Sequence, residues 1–366
     1  MPVATDQSIA DRRILRLALG TSLSLWFSQV FGWDLSFIAP LFTLLLLATP
    51  LPPPTFGKGM VLVIALVLPA VIASYVLLPF FQALHSVAII LVMLALFHSF
   101  YLTARGGPAI VGTLLTIGIT IVVAIGSVNG AALAGVLRGL ASGAAVGLAF
   151  VWIAHWLLPD SSRSVIAAGK PAVTKPTPEE AQRIALRAFV VVLPVAILFL
   201  FSSASASYIV VMIKVASMGQ QSEAADSRQL GRSLIVSTLW GGVGAIIAWQ
   251  LISIWPSLIL YTLIVAISAL VFGRRIFNGA ELRDDAATWS YGLLTMIILL
   301  APAVLDGIAG ASAGAAFLSR LVLVLVASLY GSLAIAVFDA FWPLAPGGQH
   351  ELADHLNDHP GERTTG

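Results

Sequence analysis

The sequence predicts an all-α, polytopic membrane protein of about twelve transmembrane helices, arranged as two parallel six-helix repeats. Three observations predict it. First, 59% of the residues are hydrophobic and only 10% are charged, with a mean hydropathy of +0.98, which leaves too little polar surface to coat a soluble globule of 366 residues. Second, the apolar stretches reach or approach the roughly 18–20 residues a helix needs to cross the hydrocarbon core, and they lack the alternation of barrel strands. Third, the same punctuation occurs twice in the same order. Phe56-Gly57-Lys58 answers to Leu230-Gly231-Arg232, and Val128-Asn129-Gly130 to Leu305-Asp306-Gly307. Arg138 answers to Arg320, and the string from His155 to Pro159 to the one from Asp339 to Pro343. The offsets, 174, 177, 182 and 184, drift slowly, as small loop insertions in a duplicated membrane unit make them drift.

The elements follow in order. The first span, 14–32, comes after thirteen mostly polar residues and has no small-residue cleavage site behind it, so it is expected to stay in the mature chain. The second, 36–51, is short and stops at Pro52-Pro53-Pro54; the third, 59–79, opens after Gly57-Lys58. Spans at 84–103, 108–127 and 134–158 complete the first half, residues 1–159. In the last of these Gly139, Gly143 and Gly147 repeat every four residues, a small-residue face that lets another helix approach. A linker over 160–183 follows, Pro/Ser/Lys-rich from Asp160 to Pro176. Thr177-Pro178-Glu179-Glu180 then has an N-cap, Pro at the first helical position and an acid three residues on, the pattern of a capping box. The second half, 184–343, holds spans at 184–202, 206–219, 232–254, 256–273, 288–306 and 316–341, the second of them again short. Both halves open with an Arg-rich amphipathic turn suited to anionic headgroups. The tail, 344–366, is polar and expected to be disordered.

Loop charges orient this count. Seventeen of the nineteen Lys and Arg residues fall on the side of the N-terminus, and only Arg138 and Arg320 approach the other face. Such a bias puts both termini in the cytoplasm, and an even number of spans per half makes the repeats parallel.

Composition also excludes. With no Cys there is no thiol catalysis and no disulfide. The net charge of +2 does not signal nucleic acid, because the basic residues are scattered among loops. Gly57-Lys58-Gly59 lacks the remainder of a Walker A loop, so energy for uphill transport would come from an ion gradient or a partner. His350, His355 and His359 with Asp354 and Asp358 have metal-like spacing, but in a segment with too few apolar residues to stay folded; no metal and no cofactor is expected. No dense His or carboxylate cluster occurs in the spans, which argues against an enzyme.

Ionisable groups within apolar spans are the best site candidates, since each costs several kcal/mol unless it lines a cavity or has a partner. Lys214, near the end of the eighth span, is either a snorkelling lysine or a cation that meets an anionic substrate. Arg138 and Arg320 each begin the last span of their half, where they either neutralise nearby acids or lipid phosphate, or draw an anion outward; guanidinium suits bidentate recognition of a carboxylate. His155 and Asp339, each four residues before a Pro that ends a half, are either interfacial caps or a pair that faces across the repeat axis and passes a proton. Trp26, Trp33, Trp156, Trp255 and Trp342 lie near span ends, as interfacial anchors do.

These features together resemble the fusaric acid resistance and aromatic acid exporter proteins of bacteria, and more distantly the plant malate channels. The strings that carry the likeness are Arg16-Leu17-Ala18-Leu19-Gly20-Thr21 and Pro52-Pro53-Pro54-Thr55-Phe56-Gly57-Lys58 in the first half, then Arg187-Ala188-Phe189 and Leu230-Gly231-Arg232-Ser233-Leu234 in the second. The likeness runs over about residues 12–343. This chain departs from the pattern in having only the linker at 160–183 where such exporters carry a large cytoplasmic domain. The resemblance implies efflux of aromatic or other organic acids at the bacterial inner membrane, often beside a periplasmic adaptor of the membrane-fusion type.

The expectation is thus a proton-coupled secondary transporter for an organic anion, with Lys214, Arg138 and Arg320 toward the substrate and His155 or Asp339 toward protons. A passive anion channel would use the same cations. A membrane scaffold would leave them all structural.

Overall fold

The computed structural model describes residues 6–33, 35–126, 133–159, 177–201, 214, 227–279, 281–309 and 313–342. Among these, eleven helices form: α1 (Asp6–Val30), α2 (Ile38–Leu47), α3 (Phe56–Ala83), α4 (His85–Ala104), α5 (Ala109–Gly126), α6 (Leu133–Leu157), α7 (Pro178–Phe201), α8 (Ser227–Ile254), α9 (Leu258–Ile276), α10 (Ala286–Ala309) and α11 (Ala313–Phe341). Two short strands, β1 (Phe277–Asn278) and β2 (Glu281–Leu282), pair antiparallel between α9 and α10. Seven helices, α3, α4, α6 and α8 to α11, are long and apolar enough to cross a bilayer. The chain is a multi-pass, all-α membrane protein.

Three of the predicted elements differ from what forms. The Arg-rich turns do not lie apart on the membrane surface: α1 and α7 each run unbroken from the basic turn into the apolar stretch. Their arginines point inward, Arg13, Arg16, Arg183 and Arg187 all being buried. The second span shrinks to the ten residues of α2, about 15 Å of helix against a hydrocarbon core of about 30 Å. The predicted eighth span lies outside the described residues except for Lys214.

Other local readings hold. The Thr177 backbone N–H donates to Glu180 Oε2 at 2.9 Å and the Glu180 N–H to Thr177 Oγ1 at 3.3 Å, so the capping box starts α7 as its sequence requires. The glycine face of α6 receives α2. A Cβ at Gly143 would stand 2.8 Å from Cβ of Ile38, and one at Gly147 would stand 2.7 Å from the Ala39 carbonyl oxygen. Thr43 of α2 uses this closeness to donate to the Gly147 carbonyl at 3.1 Å. The chain enters α2 through a turn with two left-handed residues, Gly32 (φ 60°) and Leu35 (φ 56°), the second uncommon for a branched side chain. Gln29 Nε2 donates to Ser36 Oγ across that turn at 2.9 Å.

Exposure separates outer helices from inner ones. Large apolar side chains stand exposed at helical spacing on α3 (Ile64, Leu68, Ile72), on α9 (Ile259, Leu263, Ile267) and on α11 (Leu318, Val322, Val326), and α1, α4, α6 and α8 carry exposed apolar residues too. In a membrane these stripes face lipid. Among the described residues α2, α5 and α10 expose no large apolar side chain, so they occupy the interior.

Packing repeats a pattern. α3 packs on α5 and α6, and α8 packs on α10 and α11. α1 lies against α6 and crosses to α9; α7 lies against α11 and crosses to α4. The interior α2 also touches α10.

Candidate functional site

Each half gathers cations where its first helix meets its last. In the second half Arg183 and Arg187, one turn apart on α7, share a single carboxylate on α11. Arg183 Nη2 lies 3.0 Å from Asp339 Oδ1, and Arg187 Nη1 lies 2.9 Å from Asp339 Oδ2. Arg183 also donates to the Trp342 carbonyl and stacks its guanidinium 5.8 Å from the Phe338 ring centre. In the first half Arg13 and Arg16 of α1 line a small polar recess with Thr49 and His155, the last on α6. His155 Nδ1 lies 2.8 Å from the Val151 carbonyl oxygen of its own helix. The structure thus places Asp339 in an ion cluster and His155 in a recess, each beside the first helix of its own half.

At the other end Arg138 and Arg320 part company. Arg138 is exposed, its Nε donating to the Ala134 carbonyl at 3.3 Å, whereas Arg320 is buried.

Lys214 lies deep. Its side chain is 1% exposed and its Nζ donates to Thr295 Oγ1 on α10 at 2.7 Å. Thr295 in turn donates to the Tyr291 carbonyl at 2.6 Å. It stands nine residues into α10, roughly 13 Å along the helix, so the ammonium has not snorkelled to the headgroups. Around this pair runs a seam of hydroxyls between α8, α10 and α11: Ser233 with Thr288 at 2.6 Å, and Thr238 with Ser328 at 2.7 Å. The first half has a smaller counterpart, Ser99 on α4 with Thr116 on α5 at 2.8 Å.

A groove of about 480 Å³ lies in a different place. It lies between α3, α4 and α5 and is lined by apolar side chains such as Leu68, Ile72, Leu91 and Ile119, several of them on the lipid-facing stripe of α3. It offers a carboxylate nothing.

Among the described residues no three His, Cys, Asp or Glu side chains converge as metal ligands. The tail histidines lie outside those residues.

Sequence reasoning singled out Lys214 but not its hydrogen-bond partner Thr295, whose only signal is its spacing of seven from Thr288. It also assigned Arg183 and Arg187 to the membrane surface. The signal for their clamp is a lone acid, Asp339, in the last turn of a 29-residue helix that begins and continues without one.

A family described as a protein of unknown function (DUF2955) matches residues 13–154, from Arg13 in α1 to Ala154 in α6. No curated protein and no solved structure matches the chain. None of these comparisons bears on the likeness to the fusaric acid resistance proteins.

Proposed function

We propose that the protein is an inner-membrane secondary transporter that exports aromatic or other amphipathic organic acids. The observation that carries this reading is the Lys214–Thr295 pair, a cation and a hydroxyl held together inside a bundle whose outer helices face lipid. A buried cation at membrane depth is costly, and lining a substrate or ion path is the usual reason for one. Carboxylate is the complementary group.

The architecture we propose is two parallel six-helix units related by a pseudo-two-fold axis, with both termini cytoplasmic. Its support is the recurrence of packing partners, α3 with α5 and α6 as α8 with α10 and α11, and the reciprocal crossing of α1 to α9 and α7 to α4. Buried Arg16 of α1 also precedes buried Arg187 of α7 by 171 positions. Offsets between 171 and 174 put Lys214 opposite the stretch from Pro40 to Thr43 of α2. Short segments at corresponding positions of two halves are a frequent location of transporter sites.

Within this reading Lys214 binds the substrate carboxylate, and Arg320 and Arg138 draw it toward the periplasm. His155 handles the proton, and Asp339 fastens α7 to α11. A periplasmic adaptor of the membrane-fusion type is the proposed partner.

Tolerance tests the reading. Cells overproducing the protein should survive higher concentrations of aromatic acids than cells lacking it, and Lys214→Gln should remove the advantage. Equal tolerance across a broad acid panel would refute export; currents that persist without a proton gradient would replace the transporter with a channel.

A further inference from the structure

We propose that Thr295 is the positioning residue for Lys214, and that the site it sets up exists in the second half only. This inference rests on the transport reading above.

The hydrogen bonds give the hydroxyl a fixed sense. Its one proton goes to the Tyr291 carbonyl, 2.6 Å away within α10, so what it turns toward Lys214 is a lone pair, which accepts the ammonium proton at 2.7 Å. One N–H of the ammonium is thereby fixed in direction, which restrains a charge carried on four rotatable bonds.

The backbone that carries Thr295 is itself held. α8 crosses α10 at Gly241 so closely that a Cβ there would lie 2.8 Å from the Cβ of Thr295 and 2.4 Å from the Gly292 carbonyl oxygen. The hydroxyl therefore sits at a close crossing of two long helices, a place with little freedom to drift.

The first half has the same crossing without the chemistry. An offset of 177 puts Gly118 of α5 opposite Thr295, and there a Cβ would lie 2.3 Å from the Leu66 carbonyl oxygen of α3. Where the second half has Lys214, the corresponding stretch ends in Thr43, whose hydroxyl is used on the Ala39 and Gly147 carbonyls. Gly118 thus stands where the other half has Thr295, and the stretch from Pro40 to Thr43 opposite Lys214 holds no lysine. The two units share a frame, and one of them carries the anion site.

The test uses the full-length protein in proteoliposomes with radiolabelled benzoate as probe. Thr295→Val keeps the shape and removes the hydroxyl; we expect KM to rise about tenfold, the size expected for losing a hydrogen bond to a charged group, with the maximal rate within about twofold of wild type. Thr295→Ser should return KM to within about threefold. Thermal melts of both variants accompany the kinetics: a Thr295→Val protein that melts much lower and loses maximal rate with KM unchanged would make Thr295 merely structural and overturn the inference. So would an unchanged KM in Thr295→Val beside a Lys214→Gln protein that no longer transports, an outcome that leaves the transport reading standing. Wild-type transport by Lys214→Gln, or no benzoate transport by wild type, would overturn the reading itself and this inference with it.

Discussion

Tyr330 on α11 donates its hydroxyl to the Val190 carbonyl on α7, 3.3 Å away, and that carbonyl lies four residues before Pro194. Proline has no N–H, so it leaves the carbonyl one turn back without its helical donor, and here a neighbouring helix supplies one.

Tyr330→Phe should therefore destabilise the protein by about 1 kcal/mol, the usual worth of such a bond, or somewhat more because the acceptor has no water to turn to. In a Pro194→Ala background the restored N–H serves Val190, and the same substitution should cost clearly less. A double-mutant cycle of melting temperatures in detergent checks this; equal losses in both backgrounds would dissociate Tyr330 from the proline.

Removing the acid that two buried arginines share should be more severe. With Arg187 1% and Arg183 8% exposed, Asp339→Ala removes the carboxylate that the two buried guanidinium groups share, and a loss of about 3–5 kcal/mol is expected. Fluorescence-detected gel filtration after heating would register it as early loss of the monodisperse peak. A variant as stable as wild type would mean that Asp339 is not the fastener of α7.

Glycine substitutions provide a matched pair. Gly118→Ala drives a methyl to 2.3 Å from a backbone oxygen, and overpacking against backbone costs about 1–3 kcal/mol. Gly57→Ala, in the first turn of α3, meets nothing within 4 Å and should be neutral or slightly stabilising. The two melting temperatures should move apart; coincident values would refute the close crossing of α3 and α5.

Orientation can be read chemically because the chain has no cysteine, so any introduced thiol is the only one. Pro256→Cys, in the exposed turn between α8 and α9, should react with an impermeant maleimide added to spheroplasts. Glu281→Cys, on exposed β2, should react only after the membrane is opened. The reverse pattern would turn the protein over.

Much of the fold was legible in the sequence because membrane helices are written in length and hydropathy, which are local. The capping box at Thr177 and Glu180 and the glycine face of α6 were legible for the same reason: spacing along one helix fixes them. The site was less so. Which way Arg187 turns depends on the rotation of α7 against α11, and which hydroxyl Lys214 finds depends on where it meets α10. Neither quantity leaves a local trace. Arg138 and Arg320 show the limit from the other side, since two arginines that the sequence reading set in correspondence ended in different environments, one exposed and one buried.

The crossing of α1 to α9 and of α7 to α4 has a consequence for assembly. Each half completes its wall with the opening helix of the other, so neither is a finished object when it leaves the ribosome. The first half must wait in the bilayer with the flank of α4 uncovered until α7 arrives, and α1 must wait for α9. Two separately translated pieces would carry the surfaces needed to recognise each other, and a single piece would leave these two crossings unmade.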